Sequence, residues 1–543
     1  MVSFMTLARC VLAYAPLVSV VGAYPARSGG SFPTLLDATI EELSAGIKAG
    51  DFSSVDLVNA YIGRILEVNS TLHMVTEINP DAWTIAAELD KERKAGTLRG
   101  PLHGLPILIK NNIATDDLMN NTSGSYALLG AKVPRDATVA AKLRKAGAII
   151  LGKSNLSQWA NFRSSNTSNG WSAHGGQVYG AYYPGQDPSG SSSGSGVASS
   201  LGLAAACLGT ETDGSIVSPS QMNNLVGIKP TVGLTSRDLV IPISKHQDTI
   251  GPIARTVRDA AYVLQAIAGP DKYDNYTLAS PFNDTLPDYV AACKLDALKG
   301  KRIGVPRNSI SVRAPVLAAF NAALDVLREA GATIVENTNY TAYNEYLQSY
   351  AEGTVLDADF VVDLKAYLDQ LTYNPNNVTS LADVLAFTQS FPAEEWPSRD
   401  TKGWGEALSL NFTNTSPEFW AAYQKDLYLG GAGGLLGALK NYSLDAIVVP
   451  TNIASGQSAI VGAPLVTVPL GAYPANQTVI PNARGDLNAT APNIPFGISF
   501  AGKRWSEAEL IGFAYAFEQR TMVRRKIKPY LVPSTEIADV LGG

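Results

Sequence analysis

Three short stretches carry residues that could do chemistry. "GPLHGLPILIKNNIAT" places Lys110 at the end of an apolar run, with no carboxylate within five residues on either side. A lysine in that setting is desolvated, and desolvation lowers the pKa of an ammonium group. To be mostly neutral at pH 7 it must fall by more than about 3 units, a bias of roughly 4 to 5 kcal/mol. Such a lysine is either paired by something distant in the sequence or catalytic. The second stretch, "QDPSGSSSGSGVASS" over 186–200, has the composition of a flexible linker. In the third, "LGTETDGSIVSPSQMNNLVGIKPT" over 208–231, Ser215 opens a helix after the loop "TETDG". The backbone N–H groups of Thr212, Asp213, Gly214 and Ser215 could converge there on an oxyanion. The same position also suits a serine that simply caps a helix. With only four histidines in the chain, lysine is the alternative base for a serine nucleophile.

Two shorter patterns fail on mechanism. "GAIILGKS" over 147–154 fits the phosphate-loop consensus. However, its loop positions are Ala, Ile, Ile and Leu, which favour a strand over a supple backbone cradle. "GSSSG" over 190–194 fits a nucleophile elbow centred on Ser192. That hydrolase order wants its histidine late in the chain. The one histidine after Ser192 is His246, close behind it, and the preceding "YYPGQDPSG" is turn-like, not a strand.

The elements that must position these residues are legible as a rhythm. Residues 38–68 carry helical periodicity in two pieces, with Ser53 or Ser54 capping the second, and "NPDAWTIAAELDKERKAG" reads as a further helix. Then "LPILIK" (strand), "ATVAAKLRKAG" (helix), "AIILG" (strand) and "SGVASSLGLAAAC" (small-residue helix) alternate, with a short strand ending at Gly209. "RTVRDAAYVLQAIAG", "KRIGVP", "APVLAAFNAALDVLREAG" and "ATIVE" continue the pattern. It returns in "LDAIVVPT", "APLVTVPLG", "PFGISFAG" and a closing helix "SEAELIGFAYAFEQRTMVRR". This predicts an α/β fold, a large central sheet flanked by helices on both faces. Residues 340–440, rich in Tyr, Trp, Asp and Asn, read as a mostly helical insert or lid. Structured-looking sequence adjoins the serine run on both sides, which weakens the linker reading.

Bulk properties narrow the partners. A net charge of −6 and no basic tract longer than "RRK" argue against nucleic acid. The start "MVSFMTLARCVLAYAPLVSVVGAYPARSGG" has one positive charge at Arg9, an apolar run, then Val21-Gly22-Ala23. This predicts a signal peptide over 1–23 cleaved before Tyr24, a single domain over 24–543, and no membrane span afterwards. Fourteen Asn-x-Ser/Thr matches from Asn69 to Asn488 suit a secretory route, extracellular or vacuolar. Cys10 would leave with the signal, and Cys207, in "LAAACLG", reads as a buried free thiol. No Cys/His spacing suggests zinc.

Together "LPILIKNNI", "SGSSSGSG" and "TETDGSIVSP" resemble the amidase signature hydrolases. "LGKSNLSQWANF", "NGWSAHGGQ", "VGIKPTVGL", "DTIGPIARTVRDAA" and "WSEAELIGFAYAFEQRT" extend the resemblance over roughly residues 36–525, weakest in the insert. "GWSAHGGQ", "TETDGSIVSP" and "FEQRT" look most like the bacterial peptide amidases. The resemblance implies a Ser–cis-Ser–Lys triad. Ser215 takes the nucleophile position, Ser191 the bridging position after a cis Gly190–Ser191 bond, and Lys110 the base position. Ser192 and Gly190 support the site, and Ser193 and Ser195 are small packing residues. The implied reaction is cofactor-free hydrolysis of small amides or peptide C-terminal amides through an acyl-enzyme. The same chemistry would serve an esterase or carbamate hydrolase. The family also includes amidotransferase components that serve transfer RNA, against which the signal peptide and the missing basic face both speak. Asp213 departs from the family's common glycine, and Val217 from a frequent arginine.

Overall fold

The computed structural model describes residues 32–541 apart from 165, 283 and 284, so the signal-peptide reading lies outside the described residues. Local chemistry explains the N-terminal helices. Ser53 caps Ser54–Leu72 through a reciprocal box with Asp56, and Thr39 does the same for Ile40–Ala49 with Glu42.

The apolar runs assemble into an eleven-stranded mixed sheet. In chain order its strands are β1 (Val75–Ile78), β2 (Pro106–Lys110), β3 (Ile149–Ser154), β4 (Ala206–Glu211), β5 (Val226–Lys229) and β6 (Thr249–Ala254). They continue with β7 (Arg302–Val305), β8 (Thr333–Glu336), β9 (Ala446–Pro450), β10 (Leu465–Ala472) and β11 (Pro495–Ala501). The spatial order is β1-β3-β2-β4-β6-β5-β10-β11-β9-β7-β8. Strand β2 runs parallel to both β3 and β4, while β4, β6, β5, β10, β11 and β9 succeed one another antiparallel. One continuous cluster of buried apolar side chains runs from Leu35 to Ile537 around this sheet.

Three expectations need correction. The small-residue helix ends at Ser200 and does not reach Cys207. Gly202 turns the chain at φ 62, where a Cβ would lie 2.0 Å from the Leu35 carbonyl oxygen, and Ala206 and Cys207 belong to β4. That strand runs on to Glu211, two residues beyond the expected end, and the following helix begins at Val217. Strands β1, β5 and β6 are additions. In β6 the Gly251-Pro252 pair reads as a breaker. Glycine is needed because the Ile228 backbone passes 2.0 Å from where a Cβ would stand. In "GAIILGKS" the Gly152-Lys153 pair lies within β3, with no loop to cradle a phosphate.

The insert is helical, with Tyr343–Tyr346, Ala351–Leu368, Leu381–Ser390, Lys402–Leu408, Pro417–Gly430 and Leu435–Asn441. A buried ion pair ties it to the sheet domain: Arg163 Nη1 lies 3.2 Å from Glu394 Oε2, both side chains fully enclosed. Glu394 also accepts from Ser125 Oγ at 2.7 Å and Gln158 Nε2 at 2.6 Å. Trp171 and Trp404 are both buried. Trp404 is fully buried edge-on to Trp159, and Trp171 lies under the Arg399 guanidinium. Cys207 and Cys293 are buried and unpaired. Among the described residues no helix is long and apolar enough to cross a membrane.

Candidate active site

The end of β2, the serine run and the loop after β4 converge on one place. Lys110 Nζ is fully buried and lies 2.7 Å from Ser191 Oγ, 2.9 Å from Thr210 Oγ1 and 3.3 Å from the Thr210 carbonyl oxygen. Burial pushes its pKa down to about 7, against the weaker opposing pull of Asp248 and Glu211. A neutral amine has two N–H donors and one lone pair. Thr210 can take both donors, which leaves the lone pair to accept the Ser191 hydroxyl.

The Gly190–Ser191 peptide is cis. Gly190 is closely packed: a Cβ there would lie 2.4 Å from Ser157 Oγ and 2.8 Å from Asn161 Nδ2, and both side chains would have to shift. At Gly194 it would lie 2.3 Å from the Met74 carbonyl oxygen and 2.5 Å from that of Asn155. The run is a close-packed floor, with Ser191, Ser192, Ser193 and Ser195 all enclosed. Ser192 Oγ donates to the Thr210 carbonyl at 3.1 Å, and the Ser192 N–H to the Ser215 carbonyl at 3.2 Å. Ser195 is more than a small packing residue, because its hydroxyl meets the Leu208 carbonyl at 2.9 Å and Ser154 Oγ at 2.7 Å. Ser193 likewise donates to the Ser189 carbonyl.

Ser215 precedes the helix Val217–Met222 by two residues, and Ile216 occupies the cap position. The cap reading of Ser215 therefore fails. The N–H groups of Ile216 and Val217 are taken by Glu211 Oε2 at 2.7 and 2.9 Å. Among the described residues no acceptor meets the N–H groups of Thr212, Asp213, Gly214 or Ser215, and Ser215 Oγ has no hydrogen-bond partner. Gly214 stands at φ +86, a left-handed turn that glycine adopts without strain.

Several residues without a distinguishing sequence signal support this loop. Thr210 holds Lys110 and also accepts from Asn112 Nδ2 at 3.0 Å. Asp248 accepts from Thr212 Oγ1 at 2.6 Å and from the N–H groups of Ile243 and Ser244. The adjoining Gln247 donates to Glu352 Oε1 at 2.8 Å and His246 meets Asp359 at 2.6 Å, so this loop fastens the insert helix Ala351–Leu368 to the loop that carries Ser215. His246 is thereby committed away from Ser192. Thr210 opens "TETDGSIVSP" and Asp248 opens "DTIGPIARTVRDAA", with nothing in either motif to mark its role, and Gln247 carries no signal. Among the described residues no cluster of three or more His, Cys, Asp or Glu is arranged to hold a metal.

Lys110, Ser191 and the loop that carries Ser215 are thus gathered in one enclosed place. The amidase family profile matches residues 56–511, and the chain belongs to that family of amide C–N hydrolases. A protein of Arthroderma benhamiae described as "Putative amidase" is 52% identical, over 98% of this chain and 96% of its own. The native peptide amidase of Stenotrophomonas maltophilia superposes with a TM-score of 0.81 at 39% identity, covering 91% of this chain and 99% of that one. One chain of the glutamyl-tRNA(Gln) amidotransferase of Thermosynechococcus vestitus is 32% identical over 89% of this chain and 98% of its own.

Proposed function

We propose that the protein hydrolyses small amides or the C-terminal amides of peptides, through an acyl-enzyme on Ser215. The observation that carries this reading is the 2.7 Å contact between Lys110 Nζ and Ser191 Oγ, at a loop whose four N–H groups have no acceptor among the described residues. Neutral Lys110 draws a proton through Ser191 while Ser215 Oγ attacks the amide carbonyl. The N–H groups of residues 212–215 receive the developing oxyanion. The proton returns to the departing nitrogen, and ammonia or an amine leaves. Water then cleaves the ester by the same relay, without a cofactor. Among the described residues no hydrogen bond joins Ser191 to Ser215 Oγ, and catalytic bonds of this kind tighten in the substrate complex.

Likeness to the peptide amidase over nearly the whole of both chains supports amides as substrates. Residues 1–23 support secretion with cleavage before Tyr24, which N-terminal sequencing of the exported protein tests. Asn377, Asn411 and Asn476 are exposed and available to glycosylation, whereas Asn121 and Asn155 are buried. The deciding experiment measures ammonia release from aliphatic, aromatic and peptide amides, with matched esters and carbamates followed by product. Amide hydrolysis that vanishes in Ser215→Ala is the expected result. Cleavage of esters or carbamates alone would replace this reading with the esterase or carbamate one.

A further inference from the structure

Asp213, two residues before Ser215, is exposed at the loop surface although protein surrounds it on all sides, so its carboxyl lines a recess. Tyr346, Glu352 and Asp426 of the insert lie near it: the Asp213 charge acts on Tyr346 and Glu352. A Cβ on Gly456 would lie 2.0 Å from Tyr346 Oη and 3.9 Å from Asp213 Oδ2, so the phenol oxygen packs directly on Gly456 and the Asp213 carboxyl lies beside the same backbone. Tyr346 is stacked on Tyr343, with centroids 6.1 Å apart. Glu352 is held by Gln247 Nε2 at 2.8 Å. Asp426 is 2% exposed, its Oδ2 is buried with no hydrogen-bond partner, and its charge acts on both Glu352 and Tyr346.

Three carboxyl groups thus meet at the mouth of the nucleophile loop with no cation of their own among the described residues. The nearest one acting on them, Lys229, is enclosed and donates to the Ala463 carbonyl at 2.6 Å, between Glu211 and Glu507. Lys425, beside Asp426 in sequence, is turned to Glu345 at the surface. Without a counter-ion the group retains protons: burial and the neighbouring Asp213 push Glu352 up to about 8, and burial pushes Asp426 up to about 7. An ammonium group entering the recess would displace those protons and find carboxylates and the Tyr346 phenol oxygen around it.

We propose that Asp213, Glu352, Asp426 and Tyr346 form a cation-accepting subsite next to the nucleophile loop, selecting amides that carry a protonated amine close to the scissile carbonyl. This rests on the reading of Ser215 as the nucleophile. The amine can belong to the acyl part, as in an amino-acid amide, or to the leaving amine, and the two sources are separable.

Binding is measured by calorimetry at pH 7 on Ser215→Ala protein, which keeps substrates intact and does not depend on activity. The acyl arm compares L-leucinamide with 4-methylpentanamide, which lacks only the ammonium. The leaving-group arm compares N-(2-aminoethyl)hexanamide with N-propylhexanamide. The expected result is a preference of about tenfold or more for the cationic member of one pair. Adding Glu352→Gln or Asp426→Asn should reduce it to about twofold or less, with a cooperative melt showing that each variant folds. Equal binding within both pairs overturns the proposal with no variant needed, as does a preference that survives both substitutions. Failure of Ser215 as nucleophile would appear separately, as amide hydrolysis retained in the Ser215→Ala protein.

Discussion

Lys110 and Lys153 lie on neighbouring parallel strands, both are fully enclosed, and burial pushes both down to about 7. Their surroundings differ in kind. In the register of β2 against β3, Ile109 faces Lys153 and Lys110 faces Ser154. Side chains alternate along a strand, so the two lysines leave the sheet on opposite faces. Lys110 reaches the serine run, whereas Lys153 Nζ meets only acceptors, the Ile113 carbonyl at 2.5 Å and Asn121 Oδ1 at 2.8 Å. A neutral Lys153 could satisfy both acceptors with its N–H groups, but its lone pair would have no hydroxyl to draw a proton from. A depressed pKa therefore does not make a base; the partner atom does. Lys229, pushed down to about 8 beside two carboxyl groups, repeats the lesson on β5.

Replacing each lysine by methionine breaks this comparison most sharply. Lys110→Met should lower kcat/KM for a good amide by about 10³-fold, within the usual span for losing a general base. Lys153→Met should leave activity within about threefold, because its partners lie on the other face. If the two variants lose activity equally, the assignment of roles is wrong.

The pH profile separates them next. The proposed relay requires neutral Lys110, so kcat/KM should rise through a midpoint near 7, to about which burial pushes that amine down. Lys153→Met should keep that midpoint, and a shifted one would implicate the wrong lysine. Stability carries the matching sign. Between about 7 and the ordinary lysine value near 10.5 the unfolded chain holds the proton that folded Lys110 has shed. Stability therefore rises with pH across that window and is flat in this contribution below it. Melts of Lys110→Met should show a shallower rise.

A smaller effect belongs to stability alone. Lys153→Met strands two buried acceptors and should cost about 1–3 kcal/mol, read from urea unfolding. Smallest is Thr210→Val, which removes the hydroxyl shared by Lys110 and Asn112 but keeps the Thr210 carbonyl. A loss of roughly tenfold or less in kcat/KM is expected, since one neutral hydrogen bond contributes about 1 kcal/mol. A collapse as deep as that of Lys110→Met would promote Thr210 from support to a direct part in proton transfer.

Legibility followed the range of the interaction. The Ser53 cap is local, three residues from its partner Asp56, and its helix begins where the sequence placed it. The stretch after Ser195 misled, because Ala, Gly and Ser carry no apolar periodicity and the turn at Gly202 is forced by the Leu35 backbone, far off in the chain. Strand β6 was masked by Gly251-Pro252 for a similar reason. At the candidate site the sequence offered Lys110, Ser191 and Ser215 together only through resemblance, and it offered nothing for Gln247 or Glu352 and no role for Asp248.

The sequence by itself determined the kinds of group available: an uncompensated lysine at the end of an apolar strand, a serine run with the glycines close packing needs, and a serine after a short loop. It also determined the alternation that builds the sheet, because strand and cap signals act over a few residues. Only the tertiary structure decided which of three buried lysines meets a hydroxyl, since Lys110 and Ser191 are 81 positions apart and their contact depends on strand register. It likewise decided that Asp213 faces the carboxyl groups of the insert. Burial and charge coupling are sums over neighbours in space, and those neighbours come from segments that local sequence cannot bring together.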